Sequence, residues 1–273
     1  MRKPTTLPSW SWVERHRIGM LYSASISLQG KRASNQDRIL ISPAEHGAAG
    51  IVAAVADGLG GMKSGDKAAE IAVETLREAT SELLAAMNGA FADASDCLAE
   101  VYQRANNRIR SFAESQGQSG AVGTTLVSFV SAGSRSVVMN IGDSRGYRIA
   151  IAGEHRVQRI TVDHTVADEL LQQGTMSEQE YMSSPLRNQL TKCLGPRLRS
   201  EPDIFPELEF DLLKSGETFL LCSDGFFSKL TDDDLVALQG PASNLKAVLE
   251  KLAATALARG SSDNLSAVAV RYE

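Results

Sequence analysis

The chain has 273 residues, of which 43% are hydrophobic, and a formal net charge of −5. A chain of this size can bury a substantial core, and its acidic balance argues against nucleic acid as the main partner, because phosphate backbones are bound by clustered Lys and Arg. No apolar run approaches the roughly 20 residues of a membrane helix, and no secretory signal follows Arg2 and Lys3, so we expect a cytoplasmic protein without membrane contact.

The positions of the cysteines and histidines argue against a disulfide framework and against a zinc site. The three cysteines, Cys97, Cys193 and Cys222, are widely separated and form neither a disulfide framework nor a CxxC zinc pattern. The four histidines are scattered, with no pair at helical spacing. We therefore expect reduced thiols and no zinc site.

Residues 1–20 are expected to form an N-terminal extension ahead of a single domain over residues 21–273. The extension contains Trp10, Trp12 and a basic patch at residues 15–17. An arm packed on the domain surface is the favoured interpretation, because large exposed aromatic groups are uncommon. A docking segment for a partner is the alternative.

From Tyr22 onward the sequence contains both strand-like and helix-like patterns. The predicted strands, short β-type runs bounded by polar turns, cover residues 22–28, 38–42, 51–56, 122–130, 136–141, 147–151, 157–160, Thr218–Cys222 and 265–271. The predicted helices, with apolar residues near helical spacing, cover residues 65–87, 98–112, 232–238 and 245–259. Strands grouped in this way predict antiparallel sheets with helices layered outside, so the fold class is α+β.

A polar, mostly helical stretch over residues 163–195 separates two of the predicted core strands. Its length and position suggest a flap beside the active site that helps to choose substrates. A structural excursion on the surface is the alternative.

Four aspartates adjoin predicted strands in similar surroundings. Asp57 and Asp224 are each followed by glycine, Asp143 lies between two strands, and Asp263 comes directly before the last strand. An Asp-Gly pair alone is more often a turn than a ligand. Rigid strand ends can nevertheless fix carboxylates, and Mg²⁺ and Mn²⁺ prefer oxygen ligands of this kind. Four such sites in one chain therefore indicate a divalent-metal site.

Arg32 lies in the polar stretch over residues 31–37. Its planar guanidinium group suits a phosphate. Composition alone favours a surface arginine before a turn, so its role depends on its surroundings.

Six short motifs occur in the order found in metal-dependent type 2C protein phosphatases. They are Arg32–x–x–Asn35–Gln36–Asp37, residues 56–61 (ADGLGG), 123–126 (GTTL), 142–145 (GDSR), 223–225 (SDG) and Asp263–Asn264. Asp163–His164 and residues 188–191 (NQLT) resemble the bacterial branch of that family. The resemblance covers roughly residues 22–273, and the ordered set of motifs is highly specific.

The resemblance implies a four-layer α/β/β/α sandwich, with two mainly antiparallel sheets flanked by helices. It also implies two or three Mn²⁺ or Mg²⁺ ions where the sheets open. Asp57 would bridge two metals, and the carbonyl of Gly58 would bind one of them. Asp224 and Asp263 would complete the other.

Three further residues take roles by the same resemblance. Asp37 would position a metal-bound water, Asp143 would hold a third metal together with Asp224, and Arg32 would bind the substrate phosphate. The implied reaction is hydrolysis of phosphoserine and phosphothreonine in proteins by in-line attack of a metal-bridging hydroxide, without a phosphoenzyme. The partners would be phosphorylated substrates of a serine/threonine kinase, in signalling, and the chain is expected to be a monomer.

One position departs from part of the family. Some relatives, mostly eukaryotic, carry a histidine just after the Asp-Gly pair that can protonate the leaving group. Leu59 stands there in this chain, so the general acid is unassigned. A metal-bound water is the expected substitute.

Other motif interpretations fail on context. Residues 142–146 match the G-x-S-x-G motif of α/β-hydrolases, but a strand-like run follows and the last histidine, His164, comes too early. Residues 60–65 have P-loop glycine spacing, but Asp66 stands where lysine is required. Thr231 and the three aspartates after it are expected to cap a helix.

The remaining alternative is a catalytically silent, phosphopeptide-binding regulatory module on the same fold. Loss of a metal-binding aspartate would be its mark in the sequence. All four aspartates are present, which favours the enzyme.

Overall fold

The structure, a computed structural model, describes residues 15–18, 21–44, 50–59, 64–89, 91–133, 135–151, 156–195, 206–210 and 215–273. Most of the expected N-terminal extension, residues 1–14 and 19–20, therefore lies outside the described residues. Within that extension, Arg15–Ile18 forms a strand paired with Leu21–Leu28.

Twelve strands are found in the described part of the chain. In chain order they are β1 (Arg15–Ile18), β2 (Leu21–Leu28), β3 (Asp37–Pro43), β4 (Gly50–Leu59), β5 (Gly123–Thr124), β6 (Leu126–Ala132), β7 (Arg135–Ile141), β8 (Arg145–Ile149), β9 (Val157–Arg159), β10 (Pro206–Phe210), β11 (Thr218–Cys222) and β12 (Leu265–Tyr272). One sheet has the order β1-β2-β12-β11-β8-β9, and the other has β10-β7-β6-β4-β3 with β5 paired to β4. The pairings among these strands are antiparallel.

The helices cover the outer faces of the sheets and the segment between β9 and β10. They are α1 (Gly65–Glu78), α2 (Thr80–Ala86), α3 (Phe91–Ser115), α4 (Val166–Gln172), α5 (Glu178–Ser183), α6 (Asp224–Phe227), α7 (Asp232–Leu235) and α8 (Leu245–Ala258). Short 3₁₀ turns occupy Pro185–Asn188, Val236–Gln239 and Ala242–Asn244. Among the described residues, none of the helices has the length and apolar character needed to cross a membrane.

Three apolar layers hold the elements together. Along β4, Ile51, Ala53 and Val55 enter the layer between the two sheets, whereas the alternate residues pack under α1, α2 and α3. The third layer packs α6, α7 and α8 on the first sheet. Because side chains alternate along a strand, each central strand contributes to two layers. The predicted four-layer α/β/β/α sandwich is confirmed.

The predicted helix over residues 65–87 is wrong in its continuity, since α1 and α2 are separated at Ala79. The Thr75 hydroxyl donates to the Ile71 carbonyl at 2.7 Å, and the Thr80 hydroxyl donates to the Leu76 carbonyl at 3.3 Å. Hydroxyl groups bonded to the carbonyl four residues back bend helices. Periodicity alone does not reveal such a break.

Two elements and one strand boundary also differ from prediction. Strand β4 continues through Asp57 to Leu59, so Asp57 lies inside the strand rather than after it. Helix α6 is a single turn directly after β11, too short to produce a periodic pattern. Strand β10 has the sequence PELEF, and Pro and Glu are depleted in strands.

Candidate metal centre

A cleft of about 380 Å³ opens at the ends of both sheets. Its described lining is strongly polar and consists of Arg32, Gln36, Asp57, Gly58, Leu59, Asp143, Asn188, Leu190, Asp224, Asp263 and Asn264. Six of the seven predicted site residues are in this set. The seventh, Asp37, is only 2% exposed and lies beneath it. The structure therefore brings together residues separated by more than 200 positions in the sequence.

Strands β3 and β4 place Asp37 directly opposite Asp57 in the ladder. The backbone of Asp57 is fixed from the β5–β6 region. Its N–H donates to Thr125 Oγ1 at 3.0 Å, and its carbonyl accepts from Thr124 Oγ1 and from the Thr125 N–H, both at 2.9 Å. These bonds join the threonine motif at residues 123–126 to the aspartate motif at residues 56–61. They position the carboxylate while leaving its oxygens free to bind.

Gly58 and Gly225 are required by close backbone approach. A Cβ on Gly58 would lie 2.2 Å from the Gly65 carbonyl oxygen, at the start of α1. A Cβ on Gly225 would lie 2.0 Å from the Asn264 carbonyl oxygen, where α6 meets the loop before β12. Any larger residue would force these segments apart. The second contact keeps Asp224 beside the loop that carries Asp263.

Arg32 reaches the cleft from the β2–β3 loop. Its Nη2 donates to Asp263 Oδ2 at 2.6 Å, and its side chain remains 60% exposed. Asn264 anchors the same loop, accepting from the Gln36 N–H and donating to the Gln29 and Ser34 carbonyls at 2.8–2.9 Å. Arg32 is therefore held at the rim with donors open to solvent, not spread on a remote surface.

Asp143 is presented by a tight turn between β7 and β8. Gly142 has φ of +102°, a conformation that side chains rarely adopt. A Cβ there would also lie 2.6 Å from the Thr125 side chain. The turn thus packs on the residue that supports Asp57, so the Asp143 and Asp57 segments share one support.

The carboxyl groups raise one another's pKa. Burial, reinforced by the charges of Asp37, Asp224 and Asp143, raises the pKa of Asp57 well above its usual range. Burial also raises the pKa of Asp37 and of Asp143 to about 7, with repulsion from Asp224 adding in both cases. The pKa of Asp224 rises to about 6 through burial and then the charge of Asp263. A site of this kind favours a cation, because positive charge relieves both effects.

The donor set fits hard divalent cations. It consists of carboxylate and backbone oxygens, and the Oδ1 atoms of Asp37 and Asp224 are buried with no hydrogen-bond partner among the described residues. Within the described ranges, no three His, Cys, Asp or Glu side chains converge on one point closely enough for a metal ion. The mutual repulsion of the carboxylates keeps them apart. An ion bound by three of them would have to draw them closer, which the neutralisation of their charge favours.

The stretch over residues 163–195 contributes to the cleft wall. Asn188 and Leu190 line the cleft, close to the end of the stretch. Its helices carry caps of their own, with Thr165 capping α4 and Ser177 forming a capping box with Glu180 on α5. The stretch is therefore an ordered structure, and Asn188 and Leu190 near its end face the cleft.

Sequence reasoning assigned no role to Ser223 or to Asn264. The Ser223 hydroxyl donates to Asp37 Oδ2 at 2.8 Å and accepts from the Ser266 N–H at 3.0 Å. Both residues belong to short family motifs and adjoin a predicted ligand, but the motifs do not indicate what their side chains bond to. Their hydrogen bonds join positions far apart in the chain, which no local pattern reveals.

The comparisons with known proteins decide the family. The chain matches the family described as Protein phosphatase 2C over residues 27–268. It belongs to that family. A protein phosphatase 2C is an enzyme, so the predicted enzyme class and the resemblance drawn from the motifs are both confirmed.

Individual relatives of this protein phosphatase 2C are bacterial. It is 32% identical over 219 residues to the serine/threonine phosphatase stp of Listeria monocytogenes, covering 80% of this chain and 83% of the relative. The crystal structure of the Mycobacterium tuberculosis serine/threonine phosphatase PstP/Ppp is similar with a TM-score of 0.77 and 29% identity, covering 93% and 99% of the two chains. The catalytic domain of PstP in complex with two manganese ions has a TM-score of 0.73 and 27% identity, covering 92% and 97%.

Proposed function

We propose that this protein phosphatase 2C is a metal-dependent phosphatase that hydrolyses phosphoserine and phosphothreonine in proteins. The observation that carries the proposal is the convergence of four aspartates and Arg32 at one cleft, with Asp37 buried beneath it, within the family match. Its bacterial relatives are named serine/threonine phosphatases, and one related structure contains two manganese ions.

Two or three Mn²⁺ or Mg²⁺ ions are proposed as the cofactors. Asp57 and the Gly58 carbonyl would hold one ion, and Asp57, Asp224 and Asp263 would hold the other. Asp143 would contribute, with Asp224, to a third. When bound, such ions lower the pKa of water and neutralise charge on phosphoryl oxygens.

Arg32 is proposed to bind the substrate phosphate. In the structure its Nη2 contacts Asp263, while most of the side chain is exposed at the mouth of the cleft. A guanidinium group offers up to five N–H donors, so a phosphate can be bound without breaking that contact. Arg32 would thereby orient phosphorus towards the cleft floor.

Asp37 and Leu59 shape the proton transfers. Asp37, held by Ser223, would accept a hydrogen bond from the attacking water and orient it for in-line displacement of the seryl or threonyl oxygen. No nucleophilic side chain attacks in this scheme, so no phosphoenzyme forms. Leu59 cannot donate a proton, and we propose that water protonates the leaving group.

The flap role of residues 163–195, the phosphoprotein partners and their kinase remain part of the proposal. Asn188 and Leu190 at the cleft wall support the flap, because a bound phosphopeptide would pass close to them. The expectations of a cytoplasmic signalling protein, of a monomer and of no contact with nucleic acid or membrane stay predictions.

The experiment measures turnover of p-nitrophenyl phosphate and of phosphoserine, phosphothreonine and phosphotyrosine peptides with Mn²⁺. We expect hydrolysis of the first three, loss of turnover in EDTA, and loss in Asp57→Asn. Undiminished turnover in EDTA or in the variant would contradict the metal mechanism. Absence of any turnover by the wild type, with phosphopeptide binding retained, would favour the silent regulatory module.

A further inference from the structure

His164 belongs to the flap segment, residues 163–195. It lies between the turn that carries Asp143 and residues 189–191, which are the return of that segment. The Gly142 N–H donates to His164 Nδ1 at 3.0 Å, and the His164 N–H donates to the Gly142 carbonyl at 3.0 Å. The side chain is only 8% exposed. The two residues are thus joined reciprocally, once through the backbone and once through the imidazole ring.

The other side of His164 is joined to the cleft wall. The Thr191 N–H donates to the His164 carbonyl at 2.8 Å, and the Val166 N–H donates to the Gln189 carbonyl at 2.9 Å. Residues 164–166 and 189–191 therefore pair as a short antiparallel ribbon, with the bridge Thr165↔Leu190 between them. Leu190 itself lines the cleft.

The contact path continues from Gly142 to Asp57. Gly142 packs on Thr125 so closely that a Cβ would lie 2.6 Å from the threonine side chain. Thr125 Oγ1 in turn bonds Ser144 Oγ at 2.7 Å and accepts from the Asp57 N–H at 3.0 Å. His164 is one connection between the flap segment and the aspartate-bearing turn, and the ion pair between Arg145 and Asp163 is another. Of these two side chains, only that of His164 bonds the backbone directly before Asp143.

A buried histidine is more often a packing residue, and the bonds distinguish the two roles. Nδ1 accepts a hydrogen bond from a backbone N–H one residue before Asp143. A residue of similar volume without an acceptor would leave that N–H unpaired, which disturbs the local backbone. Residues beyond the direct ligands that orient a metal site typically change its affinity by 10–100-fold when altered.

We propose that His164 is a positioning residue that couples the flap segment to the Asp143 turn. This inference rests on the proposed metal-dependent phosphatase. Loss of the Nδ1 acceptor would loosen both the Asp143 turn and residues 189–191 of the flap segment. Metal binding at Asp143 and selection of phosphopeptides would then change in the same variant.

The test compares His164→Leu, which removes the acceptor, with His164→Asn, whose amide oxygen can occupy the place of Nδ1. Asp143→Asn serves as the reference for loss of the Asp143 site. Tyr102→Phe is the matched control, because the Tyr102 hydroxyl on α3 makes buried hydrogen bonds to Ser128 on β6 and to the Leu126 and Met139 carbonyls, and Tyr102 does not line the cleft. Thermal unfolding confirms that each variant is folded.

Two readouts need no turnover: Mn²⁺ binding to the metal-free chain by calorimetry, and amide hydrogen exchange at Gly142 and Thr191. Asp143→Asn should lose one Mn²⁺-binding step, and we expect His164→Leu to weaken the affinity of that same step by at least about tenfold. His164→Leu should also speed hydrogen exchange at both amides about tenfold. His164→Asn should stay within about threefold of wild type, and Tyr102→Phe should change neither readout. The ratio of kcat/KM for a phosphopeptide to that for p-nitrophenyl phosphate should fall in His164→Leu alone.

Three outcomes overturn the inference. His164→Leu behaving like Tyr102→Phe would show that the bond to Gly142 positions nothing, and His164→Asn behaving like His164→Leu would show that ring volume matters rather than the acceptor. An active wild type with either result leaves the proposed function standing. A wild type without Mn²⁺-dependent turnover would overturn the proposed function, and this inference with it.

Discussion

The two halves of strand β4 have opposite effects on the stability of the fold. Residues 51–55 are fully buried and apolar, and they contribute to two packed layers. Two residues further on, Asp57 and Gly58 enter a polar cleft where burial and like charge raise the carboxyl pKa values. The apolar half therefore stabilises the fold, and the carboxylate half opposes it. One rigid strand can therefore hold an unfavourable cluster in place until a cation neutralises it.

The largest expected effect is the loss of turnover when Asp57 is replaced, and it can be compared with a substitution in the apolar half of β4. Asp57→Asn should lower turnover by about 10³-fold or more while leaving the free energy of unfolding of the metal-free chain unchanged or higher, because one repelling charge is removed. Ile51→Ala, about 20 Å away along the strand, should lower that free energy by about 2–5 kcal/mol and keep kcat within a few-fold.

Denaturant unfolding in EDTA and steady-state kinetics with Mn²⁺ measure both properties. If Asp57→Asn unfolds as easily as Ile51→Ala, the aspartate is a structural residue. If Ile51→Ala loses turnover while still folded, the two halves are not separable.

The next effect concerns pH. The folded-state pKa values of Asp37 and Asp143, about 7, and of Asp224, about 6, lie above the ordinary value of 3.8. Raised pKa values mean that the native state binds more protons than the unfolded state between pH 4 and 7. This contribution to stability is complete below pH 4 and is lost as pH rises through 6–7. The midpoint of thermal unfolding in EDTA should therefore fall by roughly 5 °C between pH 5 and pH 8.

Asp143→Asn is the control for this pH effect, because it removes one titrating member of the cluster. Its fall between pH 5 and pH 8 should be smaller than that of the wild type. Mn²⁺ should reverse the trend and stabilise more at pH 8, since it binds ionised carboxylates. An equal fall in wild type and variant would place the pH dependence elsewhere in the chain.

The smallest effect tests the support beneath the cleft. Ser223→Ala removes the donor to Asp37 and the acceptor of the Ser266 N–H, so we expect a loss of about 1–3 kcal/mol in unfolding free energy and a few-fold lower kcat. Ser136→Ala is the matched control, because the Ser136 hydroxyl is buried and has no hydrogen-bond partner within the part of the chain that the structure describes. It should leave both quantities unchanged. Similar losses in the two variants would mean that burial, not the bond to Asp37, matters.

The difference between the halves also explains what could be predicted from the sequence. Alternation and apolar runs predict the central strands well, as in Thr218–Cys222, because packing on two faces leaves a strong local pattern. The positions of Asp57, Asp143, Asp224 and Asp263 beside strands indicate a divalent-metal site. The assignment of each aspartate to a particular ion depends on the ordered family motifs. No spacing rule reveals which loops meet at one end of a sandwich.

The bonding partners of the supporting residues could not be predicted. Ser223, Asn264 and His164 fall within the family motifs, but each bonds to a residue that is distant in the chain. The break at Ala79 likewise depends on the hydroxyls of Thr75 in α1 and Thr80 at the start of α2, which both donate to carbonyls of α1. Such contacts form only in the assembled fold.

The most direct test of the proposed metal centre is calorimetric titration of Mn²⁺ into the metal-free wild type and into Asp57→Asn. We expect at least two ions bound by the wild type, and a loss of about 100-fold or more in affinity in the variant, because Asp57 would be shared between the ions. Circular dichroism confirms that the variant is folded. Binding of the same number of ions with unchanged affinity by folded Asp57→Asn would show that Asp57 is not a metal ligand.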